Sequence, residues 1–202
     1  MIEEKNIKFN GKNLFYLESR KEENSKSMVM MHGYAFSSKD WKRIGSIDHF
    51  ANLGYNVYAP DYPGFGKSEE NANFKIGRGN LENSESFAQS FMEFLGIGNY
   101  TLVGASMGGG MAIKNAILFP DSVSKLIVIG PAWLNKEVLD QLKAETLFIW
   151  GKDDTVVPYK EMSEQIKKYS HFEFETIENA GHPAYLDQPR KFFDLVDKFL
   201  KK

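Results

Sequence analysis

YTLVGASMGGGMAIKNAIL, residues 100–118, joins a short apolar run, Tyr100-Thr101-Leu102-Val103, to a longer helix-like run that begins at Met111. Between them Gly104, Gly108, Gly109 and Gly110 surround Ser106. A glycine inside a helix is about 1 kcal/mol worse than alanine, so a helix that opens on glycines needs a geometric reason. Gly104-Ala105-Ser106-Met107-Gly108 supplies one. A Gly-x-Ser-x-Gly between a strand and a helix reads as a very tight turn, in which side chains two residues either side of the serine would collide with each other or with neighbouring backbone. The turn projects the Ser106 hydroxyl from the sheet at a helix N-terminus, where free N–H groups and a partial positive charge suit a developing oxyanion. Gly109 and Gly110 then let the helix lie close to adjacent strands.

The rest of the chain follows the same alternation. Apolar runs predict strands at Ile7–Phe9, Leu14–Leu17, Met28–Met31, Asn56–Ala59, Thr101–Val103, Leu126–Ile129, Leu147–Trp150 and Phe172–Ile177. The first two form a hairpin around Asn10-Gly11-Lys12. Helix-like stretches separate the later ones, which predicts an α/β fold with a mostly parallel eight-stranded sheet and helices on both faces. Ser37 and Asp40 mark the start of a helix through Trp41, Ile44, Ile47 and Phe50. Phe87, Phe91, Phe94 and Leu95 share one face of a helix over Leu81–Leu95. The last helix has Asp187 as its N-cap, Pro189 in its first turn, and an apolar face of Phe192, Leu195, Val196 and Phe199. Glu69–Asn80 reads as a polar loop, with Arg78 a solvated charge.

With 202 residues, 42% hydrophobic and 26% charged, the chain is long enough to bury a core, and residues 1–202 are expected to form one domain. A net charge of -2 gives no global attraction to nucleic acid or anionic membrane. The absence of cysteine excludes disulfides, thiolate catalysis and Cys-ligated metals. The opening MIEEKNIKFN lacks the basic and apolar regions of a secretory signal, and no apolar run reaches the length of a membrane span, so the expected location is cytoplasmic.

A serine nucleophile needs a base, and the histidines are His32, His49, His171 and His182. In serine hydrolases built on a strand–turn–helix the order is serine, acid, histidine, which leaves His171 and His182. His182 lies in the loop Asn179-Ala180-Gly181-His182-Pro183 after the last strand and is the candidate base. His171 reads as a surface residue, His49 as structural or exposed, and His32 as a loop brace. The base needs an orienting carboxylate. Asp153 and Asp154 both follow Leu147–Trp150, at the strand end where open α/β sheets gather functional groups. Asp154 is the favoured acid and Asp153 the turn former. The oxyanion donors are the backbone N–H of Met107 and, from the loop Met31-His32-Gly33-Tyr34-Ala35-Phe36, that of Tyr34.

Taken together, these elements resemble the α/β-hydrolase superfamily over essentially the whole chain. The resemblance includes Asp61-Tyr62-Pro63-Gly64-Phe65-Gly66-Lys67-Ser68, which it implies to be a structural loop near the site. A closer resemblance is to the small hydrolases of the α/β hydrolase domain-containing protein 14 group. It rests on His32-Gly33-Tyr34-Ala35-Phe36-Ser37-Ser38 with Trp41, and on Ala180-Gly181-His182-Pro183-Ala184-Tyr185-Leu186-Asp187-Gln188-Pro189. The glycines beside Ser106 depart from that group, which tends to have serines there, and match mainstream esterases.

The expected reaction is transfer of an acyl group from a short-chain carboxylic ester to water through an acyl-enzyme on Ser106, with no metal or organic cofactor. The expected partner is a small-molecule ester. Thioester, acyl-amide or carbon–carbon bond hydrolysis, and a non-catalytic interaction role on the same fold, are the alternatives. Residues 129–147 leave space for one short helix near Lys136–Leu142, so no sizeable cap domain is expected and the pocket should be open and shallow. Phe36, Met107 and Trp133 are its candidate walls. A histidine base must be neutral to act, so activity should rise as pH climbs through the ordinary histidine range.

Overall fold

The computed structural model describes residues 1–21, 25–81, 83–134 and 136–202. All eight strands form around the apolar runs that mark them: β1 (Glu3–Phe9), β2 (Lys12–Ser19), β3 (Lys26–Met31), β4 (Tyr55–Pro60), β5 (Tyr100–Ala105), β6 (Val123–Ile129), β7 (Thr146–Gly151) and β8 (Phe172–Ile177). They make one sheet in the order β1-β2-β4-β3-β5-β6-β7-β8. β2 pairs antiparallel with β1 and β4, and every pair from β4 through β8 is parallel. The β1–β2 hairpin closes at Phe9↔Lys12. Its loop residues Asn10 (φ 48) and Gly11 (φ 77) both have positive φ, as a two-residue hairpin turn with the native strand twist demands.

Side-chain alternation divides the interior into two layers. Leu102, Leu126, Val128, Phe148 and Trp150 face one side of the sheet, and Val103, Ile127, Ile129, Leu147 and Ile149 face the other. The first layer is closed by α3 (Phe87–Phe94), α4 (Met107–Leu118) and α5 (Lys160–Ile166) through Phe87, Phe91, Met111, Ile113 and Ile166. The second is closed by α1 (Ser38–Arg43), α2 (Ser46–Asn52), α6 (Ala184–Asp187) and α7 (Pro189–Leu200), with Trp41, Phe50, Tyr185, Phe192 and Val196 inside. Strands β5 and β7 are buried along their whole length because helices cover both faces.

Three helix expectations change. The helix through Trp41 and Phe50 is two helices, broken at Gly45, whose φ of 78 is left-handed. The helix expected from Leu81 starts at Phe87. Leu81 and Ser84 instead form turns, with the Ser84 carbonyl accepting from the buried Tyr62 hydroxyl at 3.3 Å; Glu82 lies outside the described residues. The last helix is capped by Gln188 rather than Asp187, with Pro189 at its first position. Between β6 and β7 a 3-10 helix, Lys136–Gln141, takes the place where a cap domain would be inserted. Among the described residues no helix is long and apolar enough to cross a membrane.

The Asp61–Ser68 segment ties the functional end of the sheet together. Buried Asp61 accepts from the Ser38 N–H at 2.7 Å and the Lys67 N–H at 2.8 Å. Ser68 Oγ donates to the Asp61 carbonyl at 2.7 Å and accepts from the Phe15 N–H at 3.0 Å. Strand β2, the end of β4 and the start of α1 are therefore held by one loop. Replacing Asp61 by alanine strands the buried Ser38 amide and the partly buried Lys67 amide. The expected loss is about 3 kcal/mol of stability, read as a lower urea midpoint at unchanged slope. A loss below about 1 kcal/mol would mean that the other bonds of the loop suffice.

Candidate active site

Ser106 sits between the last residue of β5 and the first of α4, with φ 53 and ψ -117. A non-glycine residue held in such a conformation carries about 1–3 kcal/mol of strain and persists only where its surroundings fix it. Here they do. The Ser106 N–H donates to the Ile129 carbonyl at 2.8 Å, and its own carbonyl accepts from the Gly110 and Ala132 N–H groups at 3.0 Å each. The collision foreseen for side chains flanking the serine is literal. A Cβ on Gly104 would overlap the Gly108 carbonyl, and one on Gly108 would lie 2.6 Å from the His32 carbonyl oxygen.

The Ser106 hydroxyl is 2.8 Å from His182 Nε2, and His182 Nδ1 is 2.8 Å from Asp154 Oδ2. A carboxylate only accepts, so Nδ1 carries the ring proton and Nε2 is left to accept from the serine. The Asp154 side chain is fully buried. Its other oxygen, Oδ1, accepts from the Val156 and Val157 N–H groups at 2.8 and 2.9 Å, which fixes the plane of the carboxylate. Asp153 is exposed, and its N–H donates to the Ala180 carbonyl at 2.9 Å. The two adjacent aspartates thus separate cleanly into one facing the histidine and one in the turn.

The backbone at Gly33–Tyr34 passes beside the serine: a Cβ on Gly33 would be 3.3 Å from Ser106 Cβ. Met107 is the first residue of α4, where an N–H precedes any partner four residues back. Its side chain is fully buried in the first layer, so the expectation that it walls the pocket is wrong and only its backbone faces the site. Tyr34 is exposed, its ring 5.4 Å from Phe65 and 5.6 Å from Trp133. Beside it lies a cavity of about 560 Å³, lined by Tyr34, Pro63, Phe65, Ile76 and the charged Lys12, Glu70 and Lys75 among others. Phe36 and Trp133 do not line this cavity. Phe36 packs toward Tyr185 at 6.5 Å, and half-buried Trp133 (φ 63) meets Tyr34. The lining includes neither Ser106 nor His182; Phe65 and part of the Glu69–Asn80 stretch wall this cavity, which sequence reading did not anticipate. Their signal, an aromatic within Asp61–Ser68 followed by a glycine-containing polar stretch, was absorbed by a structural reading.

The remaining histidines are tied into the scaffold. His49 Nε2 meets Asp197 Oδ1 at 2.8 Å, and its ring stacks on Phe193 at 4.2 Å, joining α2 to α7. His171 is half-buried rather than superficial, with Nε2 3.0 Å from the Leu142 carbonyl. His32 is fully buried; its Nδ1 faces the Gly33 carbonyl at 2.8 Å, and its Nε2 accepts from the Tyr62 N–H at 2.9 Å.

Residues 26–139 match the family described as the alpha/beta hydrolase fold. The chain is 27% identical to "Putative protein-lysine deacylase ABHD14B" of Rattus norvegicus, across 100% of this chain and 97% of that protein. It is 28% identical to "Protein ABHD14A" of Danio rerio, across 87% of this chain and 64% of that protein. Among solved structures, a predicted CIB-like hydrolase from Thermoplasma acidophilum superposes with a TM-score of 0.94 at 35% identity, across 99% of this chain and 98% of that one.

The His32 arrangement has a thermodynamic signature. Burial pushes its pKa down from the ordinary value of 6.5, outweighing the Gly33 carbonyl and the Asp61 and Asp40 carboxylates, which push it up. A depressed folded-state pKa means that the unfolded chain binds the proton more readily. The His32 contribution to stability is therefore complete above the unfolded value and is lost as pH falls toward the folded one. The urea midpoint is expected to drop between about pH 7.5 and about pH 5, and the drop should be smaller in His32→Gln. Equal pH dependence in both proteins would assign the effect to other groups.

Proposed function

The chain belongs to the alpha/beta hydrolase fold family, and we propose that it is a serine hydrolase that cleaves short-chain carboxylic esters through an acyl-enzyme on Ser106. The observation that carries this reading is the unbroken relay of two 2.8 Å contacts, from Ser106 Oγ to His182 and from His182 to a buried Asp154. In the proposed reaction His182 Nε2 takes the serine proton as Oγ attacks the ester carbonyl. Asp154 holds the imidazole in the required tautomer and stabilises the imidazolium. The N–H groups of Tyr34 and Met107 receive the negative charge of the tetrahedral oxygen, each donor worth about 3 kcal/mol in the transition state. Collapse breaks the ester C–O bond, and the departing alcohol takes the proton from Nε2. Water, deprotonated by the same nitrogen, then attacks the acyl group and frees Ser106. The scheme draws on no metal or organic cofactor and treats residues 1–202 as one catalytic domain.

Two features support a short acyl group. Among the described residues the β6–β7 connection holds one 3-10 helix, Lys136–Gln141, and no inserted helical domain. The cavity beside Tyr34 is lined by neither Ser106 nor His182, and charged Lys12, Glu70 and Lys75 stand among its walls, so it is not an apolar channel leading from the nucleophile. A second reading, hydrolysis of an acylated lysine amide, is favoured by the full-length similarity to a protein named as a protein-lysine deacylase. It uses the same residues, with an amine rather than an alcohol taking the proton from His182.

Turnover of p-nitrophenyl acetate and butyrate is expected, with a loss of at least about a thousandfold in Ser106→Ala. Equal rates in the two proteins would remove Ser106 from the chemistry. The rate should fall steeply once the acyl chain exceeds about six carbons; equal or higher activity on the dodecanoate ester would overturn the short-chain assignment. A higher kcat/KM on an acetyl-lysine peptide than on either aryl ester would select the amide reading.

A further inference from the structure

Asp187 is the natural cap for the helix that follows it, yet its carboxylate is turned the other way. Oδ2 accepts from the Gly181 N–H at 2.8 Å, and α7 is left to Gln188. The peptide unit between Ala180 and Gly181 is thereby clamped at both ends. Its carbonyl accepts from the Asp153 N–H at 2.9 Å, and its N–H donates to Asp187. This is the last peptide plane before the Gly181–His182 bond. Gly181 has no side chain to restrict it, so its backbone has the widest conformational range in the loop. Beyond His182 the chain is fixed again, since the Pro183 carbonyl accepts from the Leu186 and Asp187 N–H groups at 2.7 and 3.1 Å. Gly181 and His182 lie between these two fixed points, and Asp187 restrains the Gly181 end directly.

We propose that Asp187 is a positioning residue: its carboxylate oxygen, as acceptor for the Gly181 amide, holds the His182 imidazole in line between Ser106 and Asp154. The inference rests on the reading of His182 as the base. Proton transfer is sensitive to placement, and a displacement of about 1 Å can lower a rate by up to about a hundredfold. The acceptor matters here rather than the charge, which separates asparagine from alanine at this position.

The test compares wild type, Asp187→Ala and Asp187→Asn for p-nitrophenyl acetate kinetics, thermal midpoint, and the proton NMR signal of His182 Nδ1–H. Asp187→Ala is expected to lower kcat about tenfold with KM within about twofold. Its midpoint should move by no more than about 2 °C, because the lost bond is exposed. Its Nδ1–H signal should broaden as the ring loses its fixed geometry. Asp187→Asn, which keeps an acceptor oxygen, should restore at least about half of the rate and the sharp signal. The proposal is overturned if Asp187→Ala keeps its rate, if Asp187→Asn is as impaired as alanine, or if the loss of rate comes with a midpoint drop above about 5 °C. Wild type that neither turns over the ester nor reacts with a fluorophosphonate at Ser106 would instead refute the serine-hydrolase reading. The NMR comparison decides the role of Asp187 in that case too.

Discussion

At the turn from β5 into α4 the backbone of residue 108 occupies the space that a side chain at residue 104 would need. A side chain at 108 would in turn run into the carbonyls of Met31 and His32. This mutual exclusion is the constraint on which the rest of the site depends. It brings the start of α4 against the end of β3, so the Gly33–Tyr34 backbone arrives beside Ser106. It also forces Ser106 into a conformation that is tolerable only because the Ile129 carbonyl at the end of β6 holds its N–H and the Gly110 and Ala132 amides hold its carbonyl. Three helix-opening glycines are unfavourable for the helix taken alone; together with Gly104 near the end of β5 they are the arrangement that lets backbone approach backbone.

Two histidine–aspartate pairs have the same 2.8 Å separation, and only one faces a hydroxyl. His49 and Asp197 join two helices and stack on Phe193, while His182 and Asp154 lie at the C-terminal edge of the sheet, where loops after β3, β5, β7 and β8 converge. The distance within a pair therefore says little about its role. The third member does: Ser106 completes one pair, and an aromatic face completes the other. His32 makes the same point from within the site. It stands within the proposed oxyanion loop, two residues before Tyr34, but both its nitrogens are engaged with backbone, so it braces the loop and has no free edge for a substrate.

The strands were legible because each is built around a short apolar run, and the central ones, such as β5 and β7, are buried on both faces. The elbow, the choice of Asp154 over Asp153, and His182 were legible because the tight turn and the serine–acid–histidine order are local or sequential patterns. What was hidden depended on partners distant in sequence. Leu81 suits a helix by periodicity, but the backbone around it is claimed by turns and by the Tyr62 hydroxyl reaching the Ser84 carbonyl. Asp187 has every mark of an N-cap, and the competing amide of Gly181 becomes available only once the loop after β8 has folded back. Met107 reads as a pocket wall beside the nucleophile, while the helix it opens turns its side chain into the core. Gly45 was the local signal left unused, a glycine within a helical pattern that marks the break between α1 and α2.

The separation of the reacting groups along the chain has a consequence for synthesis. His182 lies 76 residues after Ser106, on the loop that follows the last strand. Chains fold from the N-terminus as they emerge, and β5 with its following helix precedes β7 and β8 by several elements. Under the proposed mechanism, until β8 has paired with β7 Ser106 is an unassisted alcohol whose own basicity is far too low to attack an acyl group at neutral pH. The proposed reactivity is thus a property of the finished sheet: the nascent protein would pass through the ribosome with its serine present but chemically inert.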